Sequence, residues 1–414
     1  MYYYEMNGTA AASLCPELPL PRTEAPAQAP SWFLTDRPAR SCRAAFCVSD
    51  PRQLTAERED VRFLDPARIS GEQPELPEEF LRKISARQLT AVNVRHPGWR
   101  RAAEFCRPRP GRKRVHILAV GDVGSTLLTA LKLTGGDCIE TIGICDLNEN
   151  TVRRWVAEMS QISAPWDYDA FPNVEAVDLK HLFACDVFVF IATKSIPAVG
   201  SGIRDVRMAQ FEANRSIVEQ YARQARKENY RGLFAVMSDP VDPLCKAAWL
   251  ASNQDENGAW DGLGLLPEQV QGFGLGVMNA RAAALARQNP AYRAFLEDGR
   301  SFGPHGSGLV IADSVRNYDD AVSRALTREV VEANLRIREL GFKPYVAPAI
   351  SSGAIQLLLL LRGQWHCGSV YLGGVWFGCR NRYTPAGVET EALALPDALF
   401  ARLEETEEIL RNIL

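Results

Sequence analysis

The chain has no long apolar run: its longest, around Leu357 to Leu361, is closed by Arg362 and is far too short to span a bilayer. It also lacks a charge excess. Lys and Arg total 47 against 50 Asp and Glu, a formal net charge of -3, which leaves no electrostatic footprint for nucleic acid or an anionic membrane surface. Histidine is scarce, at five residues, and the ten cysteines form no CxxC pair, so zinc-ligand spacing is missing and no metal is expected. No apolar stretch follows a basic start at the N-terminus, so a signal peptide is not expected, and cytoplasmic free thiols are.

What is present is the composition of a globular protein, 46% hydrophobic and 23% charged, in a chain of 414 residues that is long enough for two or three domains. Residues 1–40 carry Pro16, Pro19, Pro21, Pro26, Pro30 and Pro38, a density that predicts an extended arm. Residues 41–112 read as a small α+β appendage followed by a basic linker. The appendage holds strand-like CRAAFCVS and VRFLD and a helix from Pro77 to Ala86; the run RPRPGRKR, Arg107 to Arg114, marks the boundary.

Beyond the linker, strand and helix patterns alternate, as a parallel sheet with crossover helices requires. Val115 to Val120, Thr141 to Cys145, VFVFIAT (Val187 to Thr193) and GLFAVMS (Gly232 to Ser238) read as strands, and Ser125 to Leu133 as a helix. The fold class expected is α/β: a Rossmann-type doubly wound sheet over 113–245, then an α+β unit over 246–414.

The turn AVGDVGST, Ala119 to Thr126, sits between the first strand and the first helix of this region. Gly121 lets the backbone approach a pyrophosphate, Gly124 lets helix and strand pack closely, and the N–H groups around Asp122 and Val123 open the helix toward an anion. Ala119 replaces the first glycine of GxGxxG, so the turn alone reads equally well as structural. Asp146 adds a second signal: it ends the next strand 22 residues past Gly124, where a carboxylate accepts from ribose hydroxyls and repels a 2′-phosphate. NAD is the cofactor expected, in preference to NADP.

With these residues in hand, the chain from about Val115 onward resembles the lactate/malate dehydrogenase family. The segments that carry the resemblance keep the family's order: GDVGST, VFVFIAT, SDPVDP (Ser238 to Pro243), GFGLGVMNAR (Gly272 to Arg281), FGPHGSG (Phe302 to Gly308) and GVE (Gly387 to Glu389) before an amphipathic C-terminal helix. The resemblance implies hydride transfer between NAD(H) and a small carboxylate-bearing substrate, and a homodimer or homotetramer. It assigns the acid/base to His305, whose imidazole is suited to proton exchange near neutrality. The carboxylate anchor falls on Arg281, whose planar guanidinium matches a carboxylate in charge and shape. Ala192 falls beside the cofactor. The loop arginine of the family is matched by Arg207, with Arg204 as a competitor, across extra residues that include Pro197, Gly200 and Gly202.

Two positions depart from the family. Met278, three residues before Arg281, stands where the family has the aspartate that orients the histidine, and a thioether cannot replace a carboxylate as acceptor for an imidazole N–H. Asp239 stands where the family has an asparagine. Three outcomes stay open. Asp239 compensates for Met278 by approaching His305 from another side; it selects an amino or imino substrate; or catalysis is altered and the chain is an NAD-binding regulator.

Overall fold

A computed structural model describes residues 1–105, 111–194 and 206–414, the first four of the last stretch by backbone alone. The first sheet has five strands, β1 (Tyr2–Met6), β2 (Thr9–Ser13), β3 (Trp32–Thr35), β4 (Ala45–Cys47) and β5 (Thr90–Asn93), in the order β1-β2-β3-β5-β4. Residues 1–40 are therefore not an extended arm. Asn7 and Gly8 both hold positive φ, 51° and 76°, and close β1 and β2 into a hairpin. Two adjacent positive-φ residues match the twist of antiparallel strands, and Asn-Gly supplies them at little steric cost. VRFLD is likewise not a strand: Asp60 accepts from the Arg62 N–H at 2.9 Å and starts a 3-10 turn over Val61–Leu64. Helix α1 (Glu78–Ser85) and helix α2 (Trp99–Phe105) complete this region. It is not separable from the rest, because Phe33, Phe46, Phe63 and Phe80 share one core with Val370, Phe377, Leu399 and Leu403.

The second sheet has nine strands. Six are parallel and run in the order β8-β7-β6-β9-β10-β11: β6 (Lys113–Leu118), β7 (Ile139–Cys145), β8 (Asn173–Ala176), β9 (Val187–Phe190), β10 (Leu233–Val236) and β11 (Val270–Gly272). The central strands β9 and β10 are buried throughout and β7 everywhere but Glu140, which explains their near-continuous apolar sequence, whereas the edge strand β8 is largely open. The order reverses between β6 and β9, the crevice where ligands bind in open α/β sheets. β11 lies past residue 245, so the expected 245/246 boundary cuts through this sheet.

Helices α3 (Asp122–Thr134), α4 (Glu149–Met159), α5 (Val206–Lys227) and α6 (Val241–Ser252) connect the parallel strands. Helix α7 (Leu275–Gln288) and the short α8 (Phe295–Asp298) lead to a hairpin of β12 (Arg300–Phe302) and β13 (Val310–Ala312), then to α9 (Asp320–Glu339). A π-helical turn at Pro348–Ala354 runs into α10 (Ile355–Leu361). Strands β14 (His366–Leu372), β15 (Val375–Thr384) and β16 (Gly387–Thr390) extend the large sheet antiparallel beyond β11, and α11 (Asp397–Arg411) closes the chain.

Among the described residues no helix is long and apolar enough to cross a membrane. No group of His, Cys, Asp and Glu there could hold a metal ion.

Candidate active site

The turn after β6 begins at Ala119, whose φ of 78° is left-handed. That conformation explains why glycine is usual at this position and why alanine is strained there. A Cβ on Gly124 would lie 2.1 Å from the Ala119 carbonyl oxygen, so close packing of α3 on the turn depends on glycine. A Cβ on Gly121 would meet nothing within 4 Å, and Gly121 caps α3 without a side-chain hydrogen bond. The helix start is therefore uncovered, and its N–H groups fit an anion. Asp146 Oδ2 accepts from the Val120 N–H and Oδ1 from the Asn148 N–H, each at 2.9 Å, which fixes the carboxylate at the end of β7 beside the turn. Ala192 lies just past β9, where its carbonyl accepts from Ser238 Oγ at 2.6 Å. These features fit a dinucleotide.

The second group gathers at the carboxyl end of β10. Asp239 follows that strand and joins Pro240 through a cis peptide bond. His305 lies in the loop between β12 and β13, and its Nδ1 is 2.9 Å from Asp239 Oδ1. Three contacts hold this loop: Gly303 N–H donates to Gly378 O at 2.8 Å, Thr406 Oγ1 donates to Gly308 O at 2.7 Å, and the His305 N–H donates to Asp242 Oδ2 at 3.3 Å. Asp242 is buried in the first turn of α6 and also accepts from Ser369 Oγ. Burial pushes its carboxyl up to about 6, against the opposing pull of Ser369 and the His305 N–H.

The other imidazole nitrogen, His305 Nε2, is buried and has no hydrogen-bond partner among the described residues. Asp239, by contrast, has a side chain 47% exposed and His305 one of 15%, so the open end of the pair is the carboxylate. Met278 is buried on α7, where its Sδ receives Arg281 Nη1 at 3.6 Å. Arg281 also reaches Val330 O at 3.3 Å, and among the described residues it has no carboxylate ion pair. Burial pulls its guanidinium below the usual arginine range while nearby Asp239 opposes that pull.

The structure thus brings His305, Asp239 and Arg281 to one neighbourhood, with Asp239 taking the imidazole contact that Met278 cannot make. Arg207 lies in α5, with only its backbone described; Arg204, Pro197, Gly200 and Gly202 lie outside the described residues. Sequence reasoning missed Asn214. This buried α5 residue donates from Nδ2 to Asp239 O at 2.8 Å and accepts from Lys194 N–H at 2.9 Å, tying the Asp239 backbone to the strand end after β9. An asparagine inside a long helix carries no sequence signal for such a role. A cavity of about 350 Å³ lies elsewhere, at the amino ends of β6, β9 and β10, where Lys113, Arg231, Leu360 and Tyr383 are among its walls; it does not include His305.

No protein-family model matches this chain, and no curated protein matches it in sequence. Solved structures do match. A lactate dehydrogenase enzyme from a Medee basin deep-sea metagenome library superposes with a TM-score of 0.58 at 16% identity, over 73% of this chain and 98% of that one. The minor L-lactate dehydrogenase of Enterococcus mundtii gives 0.58 at 17% identity, over 73% and 97%. The malate dehydrogenase of Archaeoglobus fulgidus, solved in complex with NADH, gives 0.57 at 19% identity, over 73% and 98%. The fold is that of the lactate and malate dehydrogenases. Within this fold the sequence has diverged widely, to 16–19% identity with these three structures.

Proposed function

We propose that the chain is an NAD-dependent oxidoreductase acting on a small carboxylate-bearing substrate of the 2-hydroxy or 2-oxo acid type. The observation that carries this reading is the His305–Asp239 pair at 2.9 Å, near an arginine with no carboxylate ion pair among the described residues. Gly121, Asp122, Val123, Gly124, Asp146 and Ala192 hold the cofactor, whose nicotinamide supplies or accepts the hydride. Arg281 anchors the substrate carboxylate through its planar fork.

His305 acts as acid/base. With Asp239 ionised, Nδ1 carries the proton that faces it, which leaves Nε2 to exchange a proton with substrate. Nε2 is covered in this conformation, so the ring or its loop must turn to present it. Arg207, which the sequence placed on a loop and the structure places at the start of α5, is proposed to approach the substrate carbonyl from that helix end. Asp242 and Asn214 position the pair and do not touch substrate.

Asp239 also supports a second reading, a reductase of amino or imino acids. An ionised carboxylate at this place accepts from an ammonium or iminium N–H, where an asparagine would offer its amide. Assembly as a homodimer or homotetramer in the cytoplasm belongs to the same proposal.

The test is NAD(H) binding by calorimetry, followed by turnover of panels of 2-oxo acids and cyclic imines. Turnover of 2-oxo acids that is lost in His305→Asn supports the first reading, and turnover of imines alone supports the second. Tight NADH binding with neither activity points to a regulator and defeats both.

A further inference from the structure

Lys343 Nζ donates to Asp122 Oδ2 at 3.0 Å, joining the first residue of α3 to the segment between α9 and the π-helical turn, 221 positions later in the chain. The side chains are 80% and 50% exposed, and exposed pairs of this kind contribute little to stability. Its place is more informative than its strength. Asp122 is the one charged side chain in the turn from Ala119 to Thr126, and it sits at the uncapped start of α3 that a pyrophosphate would face. Asp146 adds a second carboxylate, bonded to the same turn through Val120 N–H. A pyrophosphate arriving there meets two carboxylates and the positive end of one helix, a site short of positive charge. Among the described residues Lys343 is the only cation bonded to the turn, and its four-carbon stem lets the ammonium move a few ångströms without the backbone following.

We propose that Lys343 is a pyrophosphate-binding residue: Asp122 holds it beside the turn, and it passes to the phosphates when a dinucleotide binds. Asp122 is then the competitor, its carboxylate opposing phosphate whenever Lys343 leaves it. This rests on the reading of the turn as a nucleotide site.

The experiment is calorimetry of the full chain with NADH, ADP and adenosine, the last lacking phosphate. Lys343→Gln weakens NADH and ADP by about tenfold and leaves adenosine within about twofold, while Lys343→Arg retains most of the affinity. Asp122→Asn strengthens NADH in the presence of Lys343. Added salt narrows the gap between Lys343→Gln and the unmodified protein, as an exposed charge contact requires. Unchanged NADH affinity in Lys343→Gln, or an equal loss of adenosine, overturns the proposal. If the unmodified protein binds ADP but not NADH, the dinucleotide reading falls while a Lys343-dependent ADP affinity keeps this one. If it binds none of the three, both fall.

Discussion

His305 and Asp239, 66 positions apart in the chain, meet at 2.9 Å through Nδ1 and a carboxylate oxygen. The carboxylate that orients the imidazole therefore comes from the segment after β10, while Met278 on α7 packs against Arg281 instead. Relative to the dehydrogenase pattern that the sequence resembles, the acceptor is relocated from α7 to the exposed side of the pair.

That relocation predicts how variants behave. Asp239→Asn keeps an oxygen able to accept from Nδ1–H but removes the charge that stabilises a protonated ring. Its kcat falls by more than about tenfold, equivalent to about 1.4 kcal/mol of barrier. Met278→Asp combined with Asp239→Asn returns the carboxylate to the helix and recovers activity, as a double-mutant cycle on kcat will measure. Purely additive losses would falsify the relocation.

Arg281→Lys keeps the charge and loses the two-point fork. KM for a carboxylate substrate rises by about tenfold or more while the NADH dissociation constant stays put. Equal effects on both constants would mean that Arg281 acts only through folding.

Asp146 accepts from two backbone N–H groups, and in the proposed function its carboxylate meets the ribose of the dinucleotide. NAD(H) binds more tightly than NADP(H), and Asp146→Ser narrows the ratio. Calorimetry with both cofactors checks this, and equal affinities in the unmodified protein remove the assignment.

Asp242 gives a pH signature with a definite sign. Its carboxyl is raised to about 6 in the folded chain, above its ordinary value of 3.8, so the folded state binds the proton more tightly. The associated stability is full below about pH 4 and is lost as pH rises through about 6, an amount on the order of 3 kcal/mol. Glu268, raised to about 7, acts in the same direction; buried His96 and His366, lowered to about 4, act oppositely. The difference between unmodified protein and Asp242→Asn isolates one group: denaturant unfolding at pH 4.5 and 7.5 shows a smaller drop in the variant. Parallel pH curves count against a buried, protonatable Asp242.

Ala119→Gly relieves a left-handed φ and is expected to stabilise the chain by about 1 kcal/mol. Gly124→Ala does the reverse, because its Cβ would collide with the Ala119 carbonyl. Thermal unfolding of the pair measures both, and a destabilised Ala119→Gly contradicts the strain assigned here.

Local signals carried much of this protein. Apolar runs bounded by glycine and aspartate made β6, β7, β9 and β10 readable, because strands buried on both faces must be apolar throughout. The Ala119–Thr126 turn and Asp146 were readable because steric access and charge at a β-to-α turn depend on a few adjacent residues. Asn7–Gly8 was a readable hairpin signal too, hidden by the prolines that follow it. Other features required the tertiary structure, since they depend on residues far apart in the chain. The sequence left open whether Asp239 reaches His305; the path of the β12–β13 loop decided it. The N-terminal strands looked separable until Phe33 and Phe80 were seen to share a core with Phe377 and Leu399. Asn214 and Lys343 carry no motif, and Asp242, although inside SDPVDP, gave no sign of its partners, because a hydrogen bond across tens or hundreds of positions is set by packing of whole elements rather than by neighbouring residues.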